Sequence, residues 1–282
     1  MWNNKLCLGI LGGESEDVYT QIKLFKDTGF DGFFINWNED SDVCKTKEYA
    51  DSIGMIFQSI HAPFSKIDAM WKNDERTEFV INRLKKCVDD CQRCGVAIMI
   101  CHAFIGFNEH EPNDIGVENY RKLVEYAKER GVNIAFENTE GEEYLALLMK
   151  ELSSYPNVRF CLDTGHEMCY NHSKDMLSLY GEKLIATHLN DNLGIRDYNG
   201  VTTSLDDLHL LPFDGACDWE DIVDRLNAHG YHGILTFELK RHSRGRKESD
   251  IYTEMSLERY VVEAYKRACK VAMLKMRRDR HR

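Results

Sequence analysis

Prolines are scarce in this chain, 4 in 282 residues, and no stretch is rich in Pro, Gly or Ser in the manner of a linker. Nothing marks a place to divide it, so the expectation is one domain over residues 1–282. No apolar run approaches the roughly 18 residues that a membrane-spanning helix needs. The opening Met1-Trp2-Asn3-Asn4-Lys5 leads into Leu6-Cys7-Leu8-Gly9-Ile10 and is broken at Gly12-Gly13, too soon for a secretory leader. A soluble, cytoplasmic protein is expected.

Net positive charge is missing too. A formal charge of -11 argues against gripping phosphate backbones, which takes clustered Lys and Arg, so a nucleic-acid partner is not expected. Two local exceptions are basic, residues 240–247 and 275–282. The second reads as a solvated helix end, where positive charge complements the helix dipole. The first is a candidate for a substrate phosphate or carboxylate, weighed against a solvated charged loop.

Cysteine is not scarce. Its 10 residues are scattered through a long chain without a leader, which favours reduced thiols. Cys91 and Cys94 form a CxxC with Cys87 at helical spacing, and with no second CxxC the expected role is packing a helix rather than holding zinc or redox chemistry.

Apolar runs and helical patterns alternate along the chain, which favours a parallel sheet with crossover helices. Strands are expected at residues 5–10, 31–37, 55–61, 96–102, 132–137, 158–163, 183–189 and 233–238, and helices at 16–28, 40–53, 74–94, 116–130, 142–151, 218–229 and 256–276. Eight strands, most followed by a helix, predict an α/β fold closed as a single (β/α)8 TIM barrel, with a doubly wound open sheet as the alternative. The longest irregular segment, 190–215, is expected to help build the site.

From the third strand onward every run ends in a ligand-type residue: His61, His102, Glu137, Asp163, His188 and Glu238. A barrel gathers all six at one mouth. Several carboxylates packed there repel one another unless a cation neutralises them, so a divalent metal is expected. The mixed nitrogen and oxygen set suits Zn, Mn, Co or Fe, and admits Mg, with Zn or Mn favoured.

The strings His61-Ala62-Pro63-Phe64, Phe136-Glu137-Asn138, Leu162-Asp163-Thr164-Gly165-His166, Thr187-His188-Leu189-Asn190-Asp191 and Phe237-Glu238, in this order, resemble the xylose-isomerase-like superfamily. It contains sugar and sugar-phosphate isomerases and epimerases, together with zinc-dependent apurinic-site endonucleases. The resemblance to the epimerase branch implies metal ligands at Glu137, Asp163, His188 and Glu238, with the two glutamates as an acid/base pair. It implies substrate contacts from His166 and Glu143, with His61 and His102 at the same mouth. That branch's arginine after the seventh strand is not at its place, and Arg196, a little further on, is the candidate replacement. The resemblance to the endonuclease branch implies a metal on His61 and His102 and another on His166, Asp207 and His209. A substrate-loop role is favoured for Asp207 and His209. The stretch 210–219 resembles one that isomerase-like members carry, in which a Gly often stands at the place of Phe213. The implied function is a metal-dependent sugar or sugar-phosphate isomerase or epimerase working through an enediolate. The alternative is a phosphodiesterase of the apurinic-site type. The expected partner is a small carbohydrate, and the superfamily's frequent pairing makes a homo-oligomer an open expectation.

Overall fold

Short apolar strands separated by amphipathic helices bury both faces of a sheet, the outer under the helices and the inner against one another. A computed structural model describes residues 4–108, 110–242 and 250–279 and shows this arrangement. The strands are β1 (Leu6–Gly9), β2 (Gly32–Asn36), β3 (Ile56–His61), β4 (Ile98–His102), β5 (Asn133–Glu137), β6 (Val158–Asp163), β7 (Leu184–His188) and β8 (Leu235–Phe237). They pair in parallel in the order β7-β6-β5-β4-β3-β2-β1-β8. The two ends meet: Leu189 bridges to Phe237, and the Leu189 N–H donates to the Thr236 carbonyl at 2.8 Å. The sheet is a near-closed (β/α)8 barrel, and the open-sheet alternative is excluded.

The helices are α1 (Val18–Thr28), α2 (Val43–Ser52), α3 (Glu75–Cys94), α4 (Asp114–Glu129), α5 (Glu142–Glu151), α6 (Thr164–Cys169), α7 (Met176–Tyr180), α8 (Trp219–Ala228), α9 (Asp250–Thr253) and α10 (Leu257–Asp279). α1, α2, α3 and α8 start slightly inside the expected spans because acidic residues act as caps. Asp17, Asp42, Asp74 and Asp218 each accept a hydrogen bond from the first turn and stand outside the helix they begin. Packing then holds each helix in place. On α3, Val80, Ile81, Leu84 and Val88 are buried, each worth about 1.5–3 kcal/mol of transfer free energy. The sequence pattern had no signal for α6, α7, α9 or the 3-10 turn at Ile67–Trp71, all too short for a helical period to show.

Inside the barrel, Ile100, Ala135, Cys161 and Ala186 form a small plug separate from the main core. Two residues further along each of those strands stand His102, Glu137, Asp163 and His188. Side chains alternate across a strand, so each inward apolar residue is followed two places on by an inward polar one at the mouth. That period is the origin of the recurring strand-end ligands. β1 makes room for them: a Cβ on Gly9 would lie 2.5 Å from the Phe34 ring, which stacks on His188 with centroids 4.7 Å apart.

Two expectations are corrected. Cys44 and Cys94 form a disulfide, because α2 and the end of α3 bring Cα atoms 50 positions apart in sequence to 4.9 Å, a proximity that spacing cannot reveal. Cys91 stays a buried thiol, so the CxxC is not a pair. The chain's basic end is not wholly solvated: Lys275 is buried and donates to Asn227 Oδ1 at 2.7 Å, while Arg278 pairs with Asp224. Residues 280–282 of that run, like 243–247 of the basic loop, lie outside the described residues.

Candidate metal and substrate site

Three groups of ligand-type side chains gather at the carboxyl ends of the strands. His61 (β3), His102 (β4) and Glu137 (β5) form one, and Glu137, Asp163 (β6), His188 (β7) and Glu238 (past β8) form the second. His166 on α6, with Asp207 and His209 from the β7–α8 loop, forms the third. The six strand-end residues expected at one mouth are there together.

Glu137 is the hub and is fully buried. Its Oε2 lies 3.2 Å from His61 Nε2 and 3.3 Å from His102 Nε2, and its Oε1 lies 2.9 Å from His188 Nδ1. Glu238 Oε2 approaches the same His188 nitrogen at 3.2 Å, so two carboxylates converge on one imidazole nitrogen. Asp163 is held by amides: its Oδ2 accepts from Asn190 Nδ2 at 2.8 Å, and its backbone is clamped by Asn138, whose side chain both donates to its carbonyl and accepts from its N–H. Its Oδ1 caps α6 through the His166 N–H at 2.7 Å. Close approach makes this possible, since a Cβ on Gly165 would stand 1.9 Å from Asn190 Oδ1. Asn138 and Asn190 were quoted in the sequence strings without a role; their signal was position, one residue past Glu137 and two past His188.

The histidine geometry tests whether a cation fits. A carbonyl oxygen only accepts, so the ring nitrogen beside it carries the proton. Nδ1 of His61, His166 and His209 each sits against a backbone carbonyl: Ala62 at 2.8 Å, Asn138 at 3.1 Å and Glu238 at 3.1 Å. In the neutral ring the Nε2 lone pair then points at a carboxylate: Glu137 from His61, and Asp207 from His209 at 2.7 Å and from His166 at 3.6 Å. Lone pair facing lone pair is repulsive unless a proton or a metal ion lies between. A ligating histidine normally has its other N–H fixed by such a carbonyl, so the residues fit a divalent cation.

Protonation directions express the same conflict. Burial alone disfavours the charged form everywhere here. At His188 burial is outweighed by Glu137 and Glu238, and at His166 by Asp163 and Asp207, so both imidazoles are held well above their usual range. Burial lowers His102. Burial opposes ionisation of Glu137, Glu238 and Asp207, yet the facing histidines draw all three well below the carboxylate range, Lys240 assisting at Asp207. Asp163, buried beside Glu137, is pushed up to about 6. Protons are doing what a metal ion would do.

The rim is aromatic. Phe64 stacks on His102 with centroids 4.7 Å apart, Tyr170 stacks on His166 at 4.9 Å, and Phe107 meets Tyr170 edge-on at 5.6 Å. Three further aromatics are taken up elsewhere: the indole N–H of Trp37 binds Asp90, that of Trp71 the Ala103 carbonyl, and Phe104 stacks on Tyr144. Two expected substrate contacts stand apart from the clusters. Glu143 is exposed and pairs with His110 at 2.5 Å. Arg196 is exposed too, its guanidinium bonded to the Leu205 carbonyl beside a shallow surface pocket of its own loop. That loop is tied down at Asp206, which accepts the Arg196 and Thr203 N–H groups.

The chain belongs to the xylose isomerase-like TIM barrel family, whose model matches residues 22–260. It is 27% identical to the uncharacterized protein y4fM of Sinorhizobium fredii, over 90% of this chain and 92% of that one. Among solved structures, the zinc-bound IolI protein superposes with a TM-score of 0.75 at 20% identity, covering 95% of this chain and 98% of the other. L-ribulose 3-epimerase superposes with a TM-score of 0.70 at 15% identity, covering 97% of this chain and 96% of the other. At these identities the structural likeness establishes the fold.

Proposed function

We propose that this protein is a divalent-metal-dependent isomerase or epimerase of a keto sugar, its phosphate or a related polyol. The observation that carries the reading is the convergence of Glu137 Oε1 and Glu238 Oε2 on His188 Nδ1, at 2.9 and 3.2 Å, with Asp163 completing the group. Glu137, Asp163, His188 and Glu238 would hold the ion. A divalent cation there supplies Lewis-acid stabilisation of negative charge developing on vicinal substrate oxygens. Glu238, 17% exposed, faces the mouth, and Glu137 lies in its floor. One removes the proton beside the carbonyl and the other returns a proton to the opposite face of the enediolate. Asn138 and Asn190 keep Asp163 oriented, and the aromatic rim excludes water from the reacting carbon. The solved neighbours that are sugar epimerases support this reading.

The test is wash-in of solvent deuterium at the carbon next to the carbonyl, followed by proton NMR over a panel of ketoses, ketose phosphates and inososes. Wild-type protein loaded with Zn or Mn is expected to exchange. Glu137→Gln and Glu238→Gln are each expected to lose at least a hundredfold in rate, the usual scale of one acid/base group. Exchange retained in both variants sinks the proposal.

A second reading has its own observation. His61 with His102, and His166 with Asp207 and His209, complete two further ligand groups around the first, and such an array suits water activation and phosphodiester hydrolysis. Against it stands the net charge of -11. Elemental analysis of protein purified without added metal separates the two. About one ion per chain supports the isomerase, while two or three, with nicking of abasic duplex DNA, supports the hydrolase.

A further inference from the structure

Basic side chains near the mouth differ in whether they are free to meet a substrate. Arg241 is not: it forms a two-pronged pair with Glu14, whose side chain is buried, and its guanidinium also donates to the Met255 carbonyl at 2.8 Å. His242 leans on the same Glu14 at 3.3 Å. Arg196 is committed to its own loop. Lys240 is placed differently. Its backbone N–H donates to the His209 carbonyl at 3.1 Å, which anchors it beside the third ligand group. Its ammonium stands 3.5 Å from Asp207 Oδ2, longer than a good charge-assisted hydrogen bond. That same oxygen is already engaged by His209 Nε2 at 2.7 Å. The Lys240 side chain remains 37% exposed. Among the described residues it is the one Lys or Arg within 4 Å of a carboxylate of the three ligand groups.

We propose that Lys240 is an oxyanion-binding residue that selects a substrate carrying a carboxylate or a phosphate. The inference deepens the isomerase reading and rests on it for the identity of the reacting end. The geometry divides the substrate between two parts of the mouth. The neutral polyol meets the Glu137–Asp163–His188–Glu238 group and the aromatic rim, and the anionic end turns toward Lys240 and His209. Asp207 is the described carboxylate beside the Lys240 ammonium, and His209 already engages the Oδ2 that faces it, so the ammonium, kept in place by its backbone bond, has donors to spare for an anion. A flexible ammonium is a point charge and fits either carboxylate or phosphate without a fixed fork geometry.

The test is calorimetric binding of inorganic phosphate and of acetate to the zinc-loaded full-length protein, for wild type, Lys240→Gln and Lys240→Arg. It needs no turnover, so failure of the isomerase chemistry does not affect it, and loss of anion binding does not affect deuterium exchange of a neutral ketose. Wild type is expected to bind at least one of the two anions, Lys240→Gln to bind it tenfold or more weakly, and Lys240→Arg within about threefold of wild type. Zinc content, measured on the same samples, is expected to be equal in all three. Tighter acetate assigns a carboxylate substrate, and tighter phosphate assigns a phosphorylated one. Equal affinity of wild type and Lys240→Gln overturns the proposal, as does failure of wild type to bind either anion.

Discussion

Gly165 shows how little space separates the ligands from their supports. It opens α6 between Asp163 and His166, and its missing Cβ leaves room for the Asn190 side chain that braces Asp163. Gly165→Ala forces Asn190 away by more than a rotamer adjustment can absorb, because Asn190 is fully buried and its backbone is bonded to Thr164 Oγ1 at 3.0 Å. The expected cost is about 1–3 kcal/mol, the usual range for overpacking. Thermal denaturation reads that cost, and competition with a chelator is expected to show weaker metal binding in the same variant. An alanine variant that holds metal as wild type does would show that Asn190 plays no part in orienting Asp163.

At the scale of the element, the β7–α8 loop is organised by one carboxylate. Asp191 is fully buried and accepts four hydrogen bonds, from the N–H groups of Asn192 (2.9 Å), Phe213 (2.8 Å) and Cys217 (2.9 Å) and from the Trp219 indole (2.8 Å). The Asp191–Leu210 backbone bridge closes the segment that presents Asp207 and His209. Asn at this position puts an amide donor against at least one of those donors. The expected loss is roughly 3 kcal/mol or more, since each buried group left unpaired costs about 1–3 kcal/mol. Because the loop presents Asp207 and His209, Asp191→Asn is also expected to displace that group, while Glu238→Gln affects the central one. Hydrogen exchange localised to residues 190–217 distinguishes loop opening from global loss of stability.

The same element shows where sequence reading stops. The ligands on β3 to β7 were legible because each closes an apolar run, and the alternation of side chains along a strand then fixes their face and height. Asp207 and His209 were legible only through a resemblance, for they lie on irregular backbone, and His209 itself sits at φ 49. The four donors of Asp191 are spread up to 28 residues away, and no periodicity relates them. The Cys44–Cys94 bond was hidden for the same reason, since it depends on how α2 and α3 pack. Glu143 and Arg196 were expected at the mouth through the resemblance alone, and in the structure Glu143 pairs with His110 and the Arg196 guanidinium with the Leu205 carbonyl.

For the molecule as a whole, the buried site sets how stability depends on pH. In metal-free protein Asp163 is raised from 3.8 to about 6 by burial, so ionising it imposes a penalty that sets in between those values. His166 and His188 are raised above 6.5 by the carboxylates that outweigh their burial, so their contribution is present below pH 6.5 and lost as pH climbs through the folded values. These effects have one sign: at Asp163, His166 and His188 the folded chain holds more protons than the unfolded one, so their contribution to stability falls as pH rises, and only His102, lowered by burial, works against them below 6.5. Glu137, Glu238 and Asp207 are lowered, and their contribution is lost only as pH falls below the ordinary carboxylate range, outside this window. A divalent cation replaces the protons and reverses the trend. Chelated protein is therefore expected to melt lower at pH 8 than at pH 5.5. The increment from saturating Zn or Mn is expected to be larger at pH 8, where fewer protons compete. With free metal at 100 times its dissociation constant the stabilisation is about 2.7 kcal/mol, which for a chain of this size is a rise of roughly 5 °C in melting temperature. A metal-induced rise that is the same at both pH values would show that the three groups do not exchange protons for an ion.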